Sequence, residues 1–344
     1  MIGILGFVAV FGLGRWLGWA ARWVWLLAWG WLLVLLLAHA PYMPPELGAF
    51  VGGEFRGWFV LGVLVAMALA YRKVLARVRK QVAPVVEAQK PGVFSPVELD
   101  RYARHIMLRE IGGSGQKSLK TARVLVVGAG GLGSPALMYL AASGVGVIGV
   151  IDGDVVEGSN LQRQIIHADA RIGMPKVFSA ELAMKALNPF IDVRPYHRRM
   201  DAGLAAELVA DYDLVLDGTD NFDTRYLVNR ICAAAGKPLI SAAITQWEGQ
   251  ISLYDPARGG PCFECVFPLR PAPGLVPSCA EAGVAAPLPG IIGAMMAMEA
   301  VKHLVDAGTG LRGRLMIHDA LYAETRVIGV KRREGCAACG GLHG

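Results

Sequence analysis

Four glycines in one short turn are the first residues whose spacing suggests chemistry: Gly128, Gly130, Gly131 and Gly133. The turn follows an apolar run, 124–127, that predicts a buried strand, and it precedes a run, 135–142, that predicts the start of a helix. Backbone N–H groups in such a turn can approach a phosphate because glycine leaves no side chain in the way. Asp152 ends the next apolar run, where a carboxylate can hold ribose hydroxyls. The pattern therefore favours nucleotide binding over a purely steric glycine turn.

Polar side chains after a later apolar run could complete a phosphate site. Residues 217–221 follow the predicted strand 214–216, and the carboxyl ends of parallel strands face the ligand crevice. Asp220 could there hold magnesium against nucleotide phosphates, although Asp and Asn also serve as helix N-caps. The segment 160–164 and Lys176 add two cations and several amides without nearby acidic partners. Together these residues could neutralise a triphosphate and its metal during phosphoryl chemistry.

Four of the six cysteines form two Cys-x-x-Cys pairs about seventy residues apart, which are Cys262 with Cys265 and Cys336 with Cys339. Two such pairs can supply four thiolates to a closed tetrahedral zinc site, which is structural because no ligand position stays open. The alternatives are unrelated reduced thiols or a redox pair. We expect the zinc site, and we expect it to fasten the C-terminal segment to the domain.

The remaining cysteines differ in their surroundings. Cys279 lies among small residues, 277–283, so it could be an accessible nucleophile or a small residue chosen for packing, and both readings stay open. Cys232 falls in an apolar helical run, 226–235, and is expected in the core. The histidines form no metal-ligand spacing and receive no role: His105, His167, His303 and His318.

The elements that must position these residues alternate between strand and helix. A capping box, 95–98, starts a helix that carries Arg104. Predicted strands then lie at 124–127, 147–151, around 193 and at 214–216, and predicted helices at 135–142, 175–187, 202–209 and 226–235. Such alternation predicts an α/β domain, a Rossmann-like doubly wound and mostly parallel sheet covered on both faces.

The first 80 residues differ in kind from the rest, since they are overwhelmingly apolar and contain seven of the eight tryptophans. No charge occurs in 23–38 or in 57–71, and a proline-rich break at 41–45 separates the two runs. A further apolar stretch, 2–14, makes the number of membrane spans two or three. Because the apolar sequence continues far beyond one short hydrophobic segment, we expect a retained anchor rather than a cleaved signal peptide.

Basic residues crowd directly after the last apolar run: Arg72, Lys73, Arg77, Arg79 and Lys80. By the positive-inside rule they place the following domain in the cytoplasm, in a protein of the inner membrane. We therefore expect anionic lipid as the partner of this cluster, and no nucleic acid. The resulting organisation is an anchor at 1–80, a linker at 81–94 and the α/β domain at 95–344.

The order of these motifs resembles that of the MoeB/ThiF/HesA adenylyltransferases, the bacterial relatives of the ubiquitin-activating enzyme. The resemblance covers about residues 95 to 344. It rests on the segment 101–105, the glycine turn, Asp152 with Asp154, the segments 160–164 and 217–221, Lys176, the two cysteine pairs and the segment 279–283. Typical members lack residues 1–80.

The resemblance implies ATP-dependent adenylation of the C-terminal glycine carboxylate of a small ubiquitin-like sulfur carrier of the MoaD or ThiS type, which serves molybdopterin or thiamine biosynthesis. It implies that Asp152 holds the ATP ribose with Asp154 beside it, and that the phosphates are contacted by Asn160, Arg163 and Lys176. Magnesium would be held by Asp220.

Two further implications concern other molecules. In a homodimer, Arg104 would reach the triphosphate bound to the partner subunit. Cys279 matches a loop cysteine that links covalently to the carrier in some branches of the family and is dispensable in others.

Two competing functions use the same residues. A dehydrogenase could bind NAD at the glycine turn, although Arg163, Lys176 and Asp220 point towards a triphosphate instead. A membrane-tethered nucleotide sensor or scaffold could retain the fold without turnover.

Overall fold

The computed structural model describes residues 2–40, 43–82, 92–271 and 282–343. The chain divides into two compact units, Met1–Lys90 and Pro91–Gly344. Cys279 and most of the expected linker lie outside the described residues.

The described residues of the first unit form four helices: α1 (Ile2–Trp16), α2 (Ala21–Ala38), α3 (Pro45–Val51) and α4 (Phe55–Val82). Glycines allow the helices to pack closely. A Cβ atom at Gly6 would lie 2.2 Å from the indole of Trp31, and one at Gly3 would lie 2.6 Å from that of Trp58. The Trp31 indole N–H also donates to the Gly3 carbonyl at 2.9 Å. Small residues at helix contacts are typical of helices that associate in a bilayer.

Two helices of this unit, α2 and the segment Phe55–Leu75 of α4, are long and apolar enough to cross a membrane. Only 22% and 11% of their residues are buried within the protein, so most of their apolar side chains face outwards. Helix α1, with 15 residues, is shorter than the roughly 20 residues that span a bilayer core. Length and composition thus make α2 and α4 the candidate spans of the unit.

The second unit is built on an eight-stranded sheet with the order β3-β2-β1-β4-β5-β6-β7-β8. The strands are β1 (Arg123–Val127), β2 (Val147–Ile151), β3 (Asp192–Tyr196), β4 (Leu214–Asp217), β5 (Leu239–Thr245), β6 (Glu248–Tyr254), β7 (Arg314–Asp319) and β8 (Glu324–Gly329). The first five strands in chain order pair in parallel. The last three pair antiparallel. The predicted mostly parallel α/β sheet is confirmed, whereas the antiparallel part was not predicted.

Helices cover both faces of this sheet. They are α5 (Pro96–Ile106), α6 (Gly112–Thr121), α7 (Gly133–Ser143), α8 (Lys176–Leu187), α9 (Ala202–Ala210), α10 (Phe222–Ala234), α11 (Phe263–Val266) and α12 (Pro287–Val305). Short 3₁₀ turns lie at Gly158–Asn160, Asp169–Arg171, Pro256–Arg258 and Gly340–His343. The expected capping box is confirmed, since Ser95 and Glu98 bond each other's backbone N–H groups at the start of α5.

Alternate residues of β1 separate two hydrophobic cores, because side chains of a strand point to opposite faces. Val124 and Val126 join the core under α7, α8 and α12. Leu125 and Val127 join the core under α9 and α10. Cys232 lies in the second core with 1% of its surface exposed, which confirms its predicted packing role.

Helix α12 is also long and apolar enough to be a candidate span, but half of its residues are buried inside the second unit. Leu288, Ile292 and Met296 belong to the core on one face of the sheet. Burial against a sheet on one side explains the high hydropathy of α12, which we therefore assign as a core helix.

The strand order places a crevice at the carboxyl ends of β1 and β4. Strand β1 pairs with β2 on one side and with β4 on the other, so the chain reverses its winding direction between them. In open parallel sheets ligands bind at such a switch point. The glycine turn, Asp152 and residues 218–221 all follow strands that end at this edge, and Asp217 is the last residue of β4.

Candidate nucleotide site and cysteine cluster

A cavity of about 710 Å³ opens at this edge of the sheet. Three glycines of the turn line it, which are Gly128, Gly130 and Gly131. Five predicted polar side chains line it as well: Asp152, Asp154, Arg163, Lys176 and Asp220. The fold thus brings together residues that are almost one hundred positions apart in the sequence.

The glycines of the turn meet different steric demands. Gly128 has a φ of +94°, a conformation that favours glycine. A Cβ atom at Gly133 would lie 1.9 Å from the Gly128 carbonyl oxygen, so α7 can start this close to β1 only without a side chain. A Cβ atom at Gly130 would meet only the Gln164 amide, at 3.7 Å. Gly133 therefore shapes the turn, and Gly130 leaves its backbone open to the cavity.

Asp152 fastens this turn to the end of β2. One of its carboxylate oxygens accepts the Ala129 N–H at 2.8 Å, and the other accepts the Asp154 N–H at 2.8 Å. Each oxygen keeps a further lone pair, so the same carboxylate can also accept a hydroxyl of a ligand. Its position at the cavity fits the expected contact with a ribose.

Lys176 is a buried cation of the cavity, with 5% of its surface exposed. Its Nζ lies 3.1 Å from Oδ2 of Asp154, and its backbone N–H donates to the Asp154 carbonyl. Lys176 is also the first residue of α8, where the helix dipole disfavours a positive charge. Because this position is unfavourable for a positive charge, the presence of Lys176 there suggests that it binds an anionic ligand.

Arg163 reaches the cavity with the support of its neighbour Asn160. The Asn160 Oδ1 accepts from a guanidinium nitrogen of Arg163 at 2.9 Å. Asn160 itself does not line the cavity. In this arrangement Asn160 orients the cation that faces the ligand.

The two acidic residues at the carboxyl end of β4 have different environments. Asp217 is fully buried, and its carboxylate accepts from Ser241 Oγ, from Thr219 Oγ1 and from the Thr219 N–H. Asp220 is exposed at the cavity and has no hydrogen bond or ion pair with any residue of the described ranges. Asp217 therefore fixes the loop, while Asp220 presents free carboxylate oxygens of the kind that Mg²⁺ prefers.

Two predicted catalytic residues are not among the described residues that line the cavity. Arg104 is exposed on α5 and does not line the cavity of its own chain. Cys279 lies outside the described residues, so neither of its alternatives is tested.

The four paired cysteines converge as predicted, and all are buried. Their Sγ atoms lie 3.7 Å apart in Cys262–Cys265, 3.6 Å in Cys262–Cys336 and 3.5 Å in Cys265–Cys339. A tetrahedron with Zn–S bonds of about 2.3 Å has edges of about 3.8 Å. Disulfide sulfurs would lie about 2.05 Å apart. The spacing thus fits a zinc ion held by four thiolates.

The protonation of these thiols reflects their surroundings. Burial raises the pKa of Cys262, and the neighbouring thiol of Cys265 raises it further. Burial also opposes ionisation of Cys336, but the backbone N–H groups of Cys339 and Ala338 lower its pKa to about 7. A divalent metal would favour the thiolate form of all four residues.

A second layer of polar groups surrounds the cluster. The Asn229 amide lies 3.8 Å from Cys262 Sγ and donates to Glu264 at 3.1 Å, while its oxygen accepts the Phe263 N–H at 2.8 Å. Arg230 forms two hydrogen bonds with Glu264. Both Asn229 and Arg230 belong to α10, so the helix that begins at the cavity also supports the cysteines.

The cavity contains polar residues to which the sequence analysis gave no individual role. Gln164 is 5% exposed, and its Oε1 has no hydrogen-bond partner in the described parts of the chain. Arg198 and Arg199 line the cavity beyond Asp152. Gln164 belongs to a segment that was singled out, whereas the arginines follow β3 without any motif.

Comparison with known proteins gives consistent matches. The model of the ThiF family matches residues 102–338. The chain is 48% identical to the SAMP-activating enzyme E1 of Haloferax volcanii, over 71% of this chain and 89% of that protein. It is 47% identical to the sulfur carrier protein adenylyltransferase of Thermus thermophilus, over 71% of this chain and 91% of that protein.

Solved structures match in fold. The crystal structure of PaaA is 23% identical with a TM-score of 0.61 and covers 75% of this chain and 81% of its own. Escherichia coli MccB crystallised with ATP is 23% identical with a TM-score of 0.61 and covers 70% of this chain and 75% of its own.

Proposed function

Because this chain belongs to the ThiF family, we propose that it is an adenylyltransferase that activates the C-terminal glycine carboxylate of a small ubiquitin-like sulfur carrier with ATP. One observation carries the proposal. A single cavity combines an open glycine turn, the cations Arg163 and Lys176, and the carboxylate of Asp220, which has no partner among the described residues. These are the groups that a nucleoside triphosphate and its metal require.

The proposed reaction is a displacement at the α-phosphorus of ATP. A carboxylate oxygen of the carrier forms a bond to this phosphorus, and the bond to pyrophosphate breaks. The products are the acyl-adenylate of the carrier and pyrophosphate. The carboxylate is already ionised at neutral pH, so no general base is needed. Catalysis then consists of alignment and of charge neutralisation on the leaving group.

Each cavity residue has a role in this proposal. Asp152 holds the ribose, and the amides of the glycine turn bind phosphate together with Arg163 and Lys176. Asp220 would hold a magnesium ion, which would neutralise charge on the phosphate oxygens when bound. The four cysteines would hold a structural zinc ion, whose binding energy adds to folding stability.

The N-terminal unit is proposed to keep this activity at a membrane. Helices α2 and α4 have the length and composition of spans, and α4 continues into exposed basic residues, Arg72, Lys73 and Arg77. Basic residues next to a span favour the cytoplasmic side and anionic lipid. The catalytic unit would therefore lie in the cytoplasm, bound to the bilayer through a multi-pass anchor.

We also propose that the enzyme works as a homodimer. Arg104 is exposed and away from the cavity of its own chain. It would supply a cation to the cavity of the second copy.

The test of the activity is ATP–pyrophosphate exchange by the full-length protein in detergent with magnesium. Sulfur carriers of the MoaD and ThiS types are offered separately, with carriers lacking the C-terminal glycine as controls. Exchange that requires an intact carrier is the expected result and identifies the carrier. Binding of ATP without exchange for any carrier would favour a sensor or scaffold, and tight binding of NAD without ATP binding would favour a dehydrogenase.

The test of the anchor uses fusions to the C-terminus. A fluorescent protein that matures in the cytoplasm should be active and membrane-bound, and an alkaline phosphatase that is active only outside should be inactive. Recovery of the fluorescent fusion in the soluble fraction would refute the anchor, and an active phosphatase would refute the orientation.

A further inference from the structure

His167 is a buried histidine next to the nucleotide cavity to which no role has been given so far. It has 7% of its surface exposed and does not line the cavity. Its Nε2 lies 2.9 Å from the carbonyl oxygen of Ala129, the residue between Gly128 and Gly130. A carbonyl oxygen can only accept, so Nε2 carries the proton of this hydrogen bond.

The other ring nitrogen fixes the orientation of the imidazole. Nδ1 lies 2.9 Å from the hydroxyl of Ser179, which is fully buried in α8. Burial lowers the pKa of His167, and the charges of Lys176 and Arg171 lower it further, against the effect of the Ala129 carbonyl. The neutral ring therefore donates to Ala129 and accepts the Ser179 hydroxyl.

Ala129 is held on both sides of its backbone. Its N–H donates to Asp152, and its carbonyl accepts from His167. The peptide group that follows is planar and trans, so its carbonyl and its N–H point in opposite directions. Since the carbonyl points towards His167, the N–H of Gly130 must point away from the histidine.

The Gly130 N–H is free to bind a ligand. It has no acceptor within the described ranges, and Gly130 borders the cavity. A side chain at this position would meet only the Gln164 amide, so the surroundings of the amide are open. An unpaired backbone donor in the glycine turn that leads into α7 is a group that phosphate oxygens satisfy.

We infer that His167 is a positioning residue that aims the Gly130 N–H at a phosphate of the bound nucleotide, through its hydrogen bond to the Ala129 carbonyl. The inference rests on the proposed use of ATP at this cavity. It assigns His167 to phosphate binding and not to the base or ribose, because the peptide group that it fixes belongs to the glycine turn. His167 itself touches no ligand.

The distinguishing measurement is the affinity of the full-length protein in detergent for ATP and for adenosine, by titration calorimetry with magnesium. His167→Leu removes the hydrogen bond to the Ala129 carbonyl, so the Gly130 N–H no longer points at the phosphate. ATP binding should weaken about tenfold, as expected for loss of a hydrogen bond to a charged group. Adenosine has no phosphate, so its affinity should change much less. A matched control is His303→Leu, since His303 is a partly buried histidine of α12 outside the cavity, and it should alter neither affinity.

Two polar substitutions keep the test valid if leucine disturbs folding. The amide of His167→Gln can donate from the position of Nε2 and should restore ATP binding. In His167→Asn the shorter amide reaches the position of Nδ1, near Ser179, and should bind ATP as weakly as the leucine variant. Rescue by Gln and not by Asn supports positioning through Ala129.

The outcomes separate this inference from the proposed function. Equal losses for ATP and adenosine, or no loss of ATP binding in the leucine and Asn variants, would overturn the inference alone. If the His167 variants weaken ATP binding as expected but no carrier supports pyrophosphate exchange, the proposed reaction alone would be overturned. A wild-type protein that binds no ATP would overturn both.

Discussion

The cysteine cluster and the nucleotide cavity are both assembled from distant parts of the chain, but they are completed in opposite ways. The cluster is closed, because four buried sulfurs face one another at distances that suit one metal ion. The cavity is open, because Asp220 has no partner among the described residues and Lys176 offers its charge beside the glycine turn. A closed set of donors stabilises the fold, whereas an open set is available to a substrate.

This difference separates the expected effects of mutation. Removal of a cavity side chain should reduce activity and leave stability nearly unchanged, because that side chain makes its main interactions with the bound ligand and not with the rest of the protein. Removal of a cluster ligand should reduce stability first, since the metal completes the fold.

The largest effect is expected for Lys176→Ala in the cavity. Loss of a buried cation that faces the leaving phosphates should lower kcat/KM by a factor on the order of 10³, or about 4 kcal/mol of transition-state stabilisation. The melting temperature should change little, because the ion pair with the exposed Asp154 contributes little to folding. The measurement is pyrophosphate exchange with the identified carrier.

The matched control for this variant lies on the same helix. Lys185 pairs with Glu181 at the surface of α8, so Lys185→Ala removes the same charge away from the cavity. It should retain activity. Comparable losses in both variants would show that Lys176 acts through the helix and not at the cavity.

The second effect is expected for Cys339→Ser in the cluster. An incomplete ligand set should lose zinc and lower the free energy of unfolding by about 3 kcal/mol or more. Metal content by atomic absorption and thermal melting measure the two quantities. Cys232→Ala is the control, since it alters a buried cysteine that packs in the core without belonging to the cluster. The control should retain the metal, and full zinc content in Cys339→Ser would contradict the four-thiolate site.

The two sites also differ in how far the sequence could predict them. The cysteines were found from spacing alone, because each pair is local and thiolate chemistry restricts the alternatives. The glycine turn, Asp152 and Asp220 were found because they follow apolar runs that end at 127, 151 and 216, and Arg163 and Lys176 were found as cations without nearby acidic partners in the sequence. What the sequence did not provide was the residues that hold these groups in place. His167 contacts Ala129 across 38 positions and Asn229 contacts Cys262 across 33, and no local pattern records such contacts.

The fold shows the same limit in its two halves. Strands β1, β2 and β4 were predicted because each is a short apolar run between helical patterns, whereas β3 is mixed in composition and was predicted only as a strand around 193. Strands β5 and β6 contain Ser, Ala, Gly and Gln among their apolar residues, so their periodicity is weak. Strand β8 is exposed along its whole length, and its composition carries no burial signal. Pairing with neighbouring strands stabilises these segments, and pairing is not visible in a single sequence.

The third effect concerns the second layer of the cluster. Asn229→Ala removes an amide that lies beside Cys262 Sγ and holds the backbone of the first cysteine pair. Loss of such a partner should weaken zinc binding by about 10- to 100-fold, measured by competition with a chromophoric chelator.

The neighbouring residue of α10 gives the control. Arg230 bonds Glu264 but is 62% exposed, so Arg230→Gln should change zinc affinity far less. Unaltered zinc affinity in Asn229→Ala would mean that the four cysteines alone determine the affinity of the cluster. The cluster would then differ from the cavity also in needing no supporting polar residues.

The smallest effect is the dependence of stability on pH that arises from His167, which supports the glycine turn of the cavity. Burial lowers the pKa of His167 in the folded protein below its ordinary value of 6.5. The unfolded chain therefore binds more protons between the folded pKa and 6.5, so the contribution of His167 to stability is complete above 6.5 and is lost as the pH falls through that window. His167→Gln has no such group, and its melting temperature should fall less than that of the wild type between pH 7.5 and 5.5. Protonation of the zinc ligands destabilises both proteins equally and cancels in the difference, and His303→Gln shows how much another histidine with a lowered pKa contributes. If the melting temperatures of the wild type and His167→Gln fell equally between pH 7.5 and 5.5, the glycine turn would tolerate a charged histidine. The acid sensitivity would then arise from the rest of the protein, including the cysteine cluster.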